Sequence, residues 1–181
     1  EIMSSDWSSD VCSSDLATPP PLWKPDKPMR CVLFYHSLIS DWNHGNAHFL
    51  RGIASELLAR GHEVSIFEPA DGWSLQNLKK GHGEEPISAF FSIFPELESR
   101  FYDPNHPHLE DALNGADLVI VHEWNDSDLV QRIGEHRRGR NYRLLFHDTH
   151  HRSVTHAENM AVYDLSAYDG VLAFGEAVRR I

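Results

Sequence analysis

Five short apolar runs constrain this chain more than any other feature. They are residues 31–36 (CVLFYH), 63–67 (EVSIF), 117–122 (DLVIVH), 142–147 (YRLLFH) and 170–174 (GVLAF), and helix-patterned or polar sequence separates each from the next. A strand that shows one face to water alternates apolar and polar residues. A run apolar at nearly every position suits a strand covered on both faces, as in a parallel sheet. Parallel strands need crossover connections, and the segments between the runs supply them. Residues 45–60 place Phe49, Leu50, Ile53, Leu57 and Leu58 at helical spacing, and Gly61 is a suitable stop. The unit from 31 to 67 has the size of one strand–helix–strand crossover. Further helices are expected near 75–80, 87–99, 109–114, 126–138 and 157–163, and one starts at Glu176. The expected fold is α/β: one Rossmann-like domain over 29–181, with a mainly parallel five-stranded sheet flanked by helices.

The residues ahead of this domain read differently. Residues 1–16, EIMSSDWSSDVCSSDL, nearly repeat Ser-Ser-Asp and have neither the basic nor the apolar region of a signal peptide. They resemble a translated sequencing adapter and are set aside as a probable artefact. Residues 17–28 are proline-rich and read as a leader. The final helix has no cap of its own, so the sequence is expected to be truncated before a second domain.

Composition narrows the function classes. With 41% hydrophobic and 24% charged residues the chain can bury a core. No apolar run nears the ~20 residues of a membrane span. A formal charge of −11 argues against general nucleic-acid binding, which needs clustered cations. The basic cluster at Arg137, Arg138 and Arg140 reads as a solvated helix end. Two cysteines, Cys12 and Cys31, make no disulfide framework, and a reducing cytoplasm is expected.

The polar residues concentrate at one end of the strands. Eight of the thirteen histidines (His36, His44, His48, His122, His147, His150, His151 and His156) fall at or just after strand carboxyl ends, where open α/β sheets bind ligands. The loop carrying Asn43, His44, Gly45 and Asn46 leads into a helix N-terminus, which favours anions. Glu68 follows the second strand where dinucleotide folds keep a ribose-binding acid, but the glycine set of that fingerprint is absent. His147, Asp148 and His150 are candidates for base and orienter. His122, Glu123, Trp124 and His151 are candidates for lining the site. A metal on the 147–151 loop is a weaker reading. Trp42, Trp73 and Trp124 lie in or near loops. Such residues can stack on a sugar, though loop tryptophans more often plug gaps. There is no G-x-S-x-G elbow.

The stretch FYHSLISDWNHGNAHFLRGIASELLARGHEVSIFEP, followed by ADLVIVHEW, LLFHDTHHR and YDGVLAFGE, resembles the N-terminal half of bacterial GT-B glycosyltransferases. The likeness is especially to spore-maturation (CgeB-like) and glycosyltransferase family 1-type proteins. The resemblance implies sugar transfer from a nucleotide-sugar co-substrate to an acceptor small molecule or glycan, without a bound cofactor or metal. This half would bind the acceptor and often supply the base. A missing C-terminal domain would hold the donor, so the fragment alone is expected to be inactive. The other function class left open is a stand-alone α/β ligand-binding or regulatory module. A receiver version needs acidic residues where the first strand instead ends in His36-Ser37.

Overall fold

The computed structural model describes residues 27–40, 45–149 and 152–180. Six strands form one sheet: β1 Arg30–Phe34, β2 Glu63–Pro69, β3 Ser99–Tyr102, β4 Leu118–His122, β5 Arg143–Asp148 and β6 Gly170–Ala173. Eight helices join them among the described residues: α1 Asn46–Ala59, α2 Trp73–His82, α3 Glu85–Ile93, α4 Leu109–Ala112, α5 Ser127–Arg137, α6 Arg152–Thr155, α7 Ala157–Met160 and α8 Glu176–Arg179. Every strand pair is parallel, and the spatial order is β3-β2-β1-β4-β5-β6. This is the doubly wound Rossmann order, and its direction reverses between β1 and β4.

The sheet has six strands rather than the expected five. The addition is β3, which pairs with the outer side of β2 through Ile66 to Ser99 and Pro69 to Tyr102. Its four residues, Ser-Arg-Phe-Tyr, lack an apolar run because it is an edge strand with Arg100 and Phe101 exposed. The helix expected over 87–99 therefore stops at Ile93, and α6 was not anticipated at all.

Alternation along the central strands splits the core into two layers. Val32 and Phe34 of β1, Val119 and Val121 of β4, and Leu144 and Phe146 of β5 face one side, against Leu129, Val130 and Ile133 of α5. Leu33 and Tyr35, Ile66 of β2 and Ile120 of β4 face the other, against Leu50 and Ala54 of α1, Leu75 and Phe90. In β1 and β4 the residues on both faces are buried, which is why these central strands read as apolar runs. Helix α1 stops as expected. Gly61 takes a left-handed φ of 86°, its N–H donates to the Leu58 carbonyl, and the His62 N–H donates to Leu57. A side chain at that φ would be strained, whereas glycine pays no Cβ penalty.

One buried cation fixes the segment after β1. Arg51 of α1 is 8% exposed; it donates from Nε to the Leu38 carbonyl and from Nη2 to the Ile39 carbonyl, at 2.9 and 2.5 Å. Its guanidinium also lies over the Phe90 and Phe94 rings. Ser40 and Ser74 join the same segment to α2 through a hydroxyl pair at 2.9 Å. The segment that follows β1 is thus held from both α1 and α2.

Candidate functional site

The carboxyl ends of β1, β4 and β5 bring a row of rings together at the reversal in strand order. His36 and His122 lie 5.3 Å apart between centroids, as do His122 and His147. Tyr35 stacks 4.8 Å from His122, and Phe49 of α1 lies 4.8 Å from His147. Trp124 extends the row beyond His36. Three of the sequence-predicted residues, His122, Trp124 and His147, therefore meet on one rim. They come from the ends of two strands, β4 and β5, which a linear pattern of strand ends anticipates.

Hydrogen bonds at His122 fix its tautomer. Its Nδ1 accepts the Trp124 N–H at 3.2 Å, so the ring proton sits on Nε2 and is donated to the Thr149 hydroxyl at 3.1 Å. The Thr149 hydroxyl then donates to Glu123 Oε1 at 2.8 Å, and its backbone N–H donates to the same oxygen. Arg152 pairs with Glu123 Oε2 at 2.9 Å and lies 4.4 Å from the centre of the Trp124 ring. Tyr163 donates to the Glu123 carbonyl. Glu123 is fully buried. It ties the β4 turn to the end of β5 and to α6, and holds the rim from beneath. Thr149, Arg152 and Tyr163 escaped the sequence reading. Their roles come from one buried carboxylate, and no spacing signals that.

His147 differs from the histidine expected of a general base. It is 3% exposed, and Nδ1 lies 2.7 Å from the buried Tyr35 hydroxyl. Burial lifts the Tyr35 phenol well above its ordinary range, so it stays protonated, and a hydroxyl donating to Nδ1 satisfies both buried groups. The imidazole proton is then on Nε2. Burial also lowers the His147 pKa from 6.5 to about 4, with the Asp148 carboxylate opposing the shift. At neutral pH this side chain is an uncharged N–H donor with its lone pair already engaged. Asp148, 5% exposed, accepts a hydrogen bond from Ser153 at the start of α6. It borders a mainly apolar cavity of about 310 Å³ between the ends of β5 and β6, lined by Phe146, Met160, Tyr163 and Val171.

Glu68 lies inside the protein, 1% exposed. Burial raises its pKa, while the nearby Ser99 and Ser37 hydroxyls, the Leu38 backbone and the charge of Arg51 pull it down. Glu68 is buried within range of the Arg51 charge, beneath the segment that follows β1, which gives it a supporting position. Gly45 is exposed, and a Cβ there would meet nothing within 4 Å among the described residues. Asn46 opens α1 at the rim. Asn43, His44, His150 and His151 lie outside the described residues.

No family model matches the chain, and no curated protein matches it. Among solved structures it is similar to an α-glucosyltransferase in complex with UDP and a 13-mer DNA containing an HMU base. That likeness has a TM-score of 0.51 at 12% identity, and covers 81% of this chain and 38% of that one. At this identity the similarity speaks to fold. The chain carries a Rossmann-like fold and spans well under half the length of that structure. No helix among the described residues is long and apolar enough to cross a membrane.

Proposed function

We propose that this chain is the acceptor-side domain of a two-domain glycosyltransferase, of the spore-maturation (CgeB-like) type, that moves a sugar from a nucleotide-sugar to a hydroxyl acceptor. The observation that carries the reading is the 3-2-1-4-5-6 sheet with its polar rim at the strand reversal, on a fold similar to a UDP-bound glucosyltransferase. That such a domain spans 38% of the neighbour supports a partner domain across the cleft, which would hold the donor nucleotide. In this reading Asn43 to Asn46 contact acceptor or phosphate at the start of α1. Trp124 and the His122–Thr149 pair line the cleft, and His147 offers an N–H to an oxygen. The base role passes from His147, whose lone pair is engaged, to Asp148 at the end of β5 or to His150 just after it.

Nucleoside diphosphate release from a panel of nucleotide-sugars, with and without candidate acceptors, tests this. The 181-residue chain is expected to release none above background. A longer product of the same gene that adds a second α/β domain is expected to turn over, at the roughly 1–10³ s⁻¹ of ordinary enzymes. Transfer by the 181-residue chain alone would refute the half-enzyme reading, and a longer product inert toward every donor would refute the transferase.

A further inference from the structure

A second feature of the same rim lies beside the ring row. A cavity of about 200 Å³ opens between the turns that follow β2 and β4. Trp73 and Trp124 flank it, 45% and 37% exposed, and His36 and Tyr102 line it with the carboxylate residues Asp71 and Asp126. We infer that this cavity is a carbohydrate subsite that takes one neutral pyranose ring, with the sugar's apolar face on an indole and its hydroxyls donating to Asp71 and Asp126. The inference deepens the transferase reading, on which it rests only for the bound sugar's role as acceptor.

Size, charge and rigidity each support that ligand class. The cavity is smaller than the roughly 300–1,000 Å³ of pockets for drug-sized molecules, so it suits a single ring. Large exposed indoles pack poorly against water, but they match the C–H face of a pyranose. Carboxylates are acceptors only, and hydroxyl groups are the donors that satisfy them. Asp126 precedes α5 at the N-cap position but makes no side-chain cap bond, so its oxygens are not spent on the helix. The same two negative charges oppose a phosphate, which separates this cavity from any nucleotide site. The walls are set in advance. The Asn125 amide donates to the Phe34 and His122 carbonyls, and the Tyr102 hydroxyl donates to Asn125 Oδ1. Arg152 stacked on Trp124 holds that indole in place.

The test is a titration of the 181-residue chain with methyl β-glucopyranoside, methyl β-galactopyranoside and glucose 6-phosphate, followed by the indole N–H signals in ¹H–¹⁵N spectra. The Trp73 and Trp124 signals, assigned by substitution to Phe, are expected to shift saturably with at least one neutral glycoside, with Kd on the order of millimolar. Asp126→Asn keeps a residue suited to the N-cap position and is expected to weaken binding about tenfold, the loss of one charge-assisted hydrogen bond. Glucose 6-phosphate is expected to bind more weakly than the neutral glycosides. No saturable shift, a shift indifferent to Asp126→Asn and Asp71→Asn, or tighter binding of the phosphorylated sugar would overturn the assignment. Saturable glycoside binding by a chain whose longer product fails to transfer would leave the subsite standing and remove only the transferase. Transfer without glycoside binding here would remove only the subsite.

Discussion

Glu123→Ala is expected to lower the free energy of unfolding by about 3–5 kcal/mol, the range for breaking a buried ion pair by removing one partner. The carboxylate is fully buried and satisfies three donors: the Thr149 amide, the Thr149 hydroxyl and the Arg152 guanidinium. Truncation strands all three. Arg152 is 21% exposed and recovers some hydration, which places the loss toward the lower end of the range. Glu123→Gln keeps an oxygen for Thr149 and gives up the ionic partner, so a smaller cost of about 1–3 kcal/mol is expected. Urea unfolding of the three proteins checks both values. Equal losses for Ala and Gln would mean that the ion pair to Arg152 of α6, and not the hydrogen bonds to Thr149, holds the β4 turn in place. A loss below about 1 kcal/mol for Ala would show that the network does not anchor the rim.

The same residue shows what the sequence could and could not reveal. All five apolar runs became strands; those of β1 and β4 are legible because a strand covered on both faces has almost no polar position, whereas β6 keeps its apolar residues although it is an edge strand with Val171 and Leu172 exposed. The histidines at the ends of β1, β4 and β5 were legible because each is the first polar residue to end an apolar run, although all three stay buried in the fold. Strand β3 was illegible because this edge strand, exposed on part of its length, carries no apolar run. Glu68 and Glu123 share the motif of an acid at or just after a strand end, which reads as a ligand contact. In the structure both are buried beneath the rim, one beside Arg51 and the other paired with Arg152. The cations that permit their burial lie 17 residues before Glu68 and 29 residues after Glu123, on helices whose docking only tertiary packing decides.

His147 makes the stability of this protein depend on acidity in a direction that its environment fixes. Burial lowers its pKa from 6.5 to about 4 in the folded chain, while the unfolded chain keeps the ordinary value. Between those two values the unfolded state binds a proton that the folded state refuses. Stability therefore rises with pH across this window and is lost as pH falls from about 6.5 toward 4, by roughly 3 kcal/mol in all. Glu68 acts in the opposite sense. Its raised pKa means that the folded state takes up a proton before the unfolded state does, so acidification favours folding at that site. The two contributions overlap, and the difference between the parent chain and His147→Gln isolates the first. Gln has no titrating group and can still accept the Tyr35 hydroxyl through its amide oxygen. The parent is expected to lose about 2–3 kcal/mol more than the variant between pH 7 and pH 4.5, read from urea unfolding at each pH. In the longer enzyme, the neutral N–H donor role predicts that His147→Gln, which offers an amide N–H in its place, keeps more turnover than His147→Leu. It also predicts that no step in the rate profile near pH 6.5 disappears with either substitution. Parallel stability curves for parent and variant would mean that His147 titrates normally, and the general-base assignment would return to it.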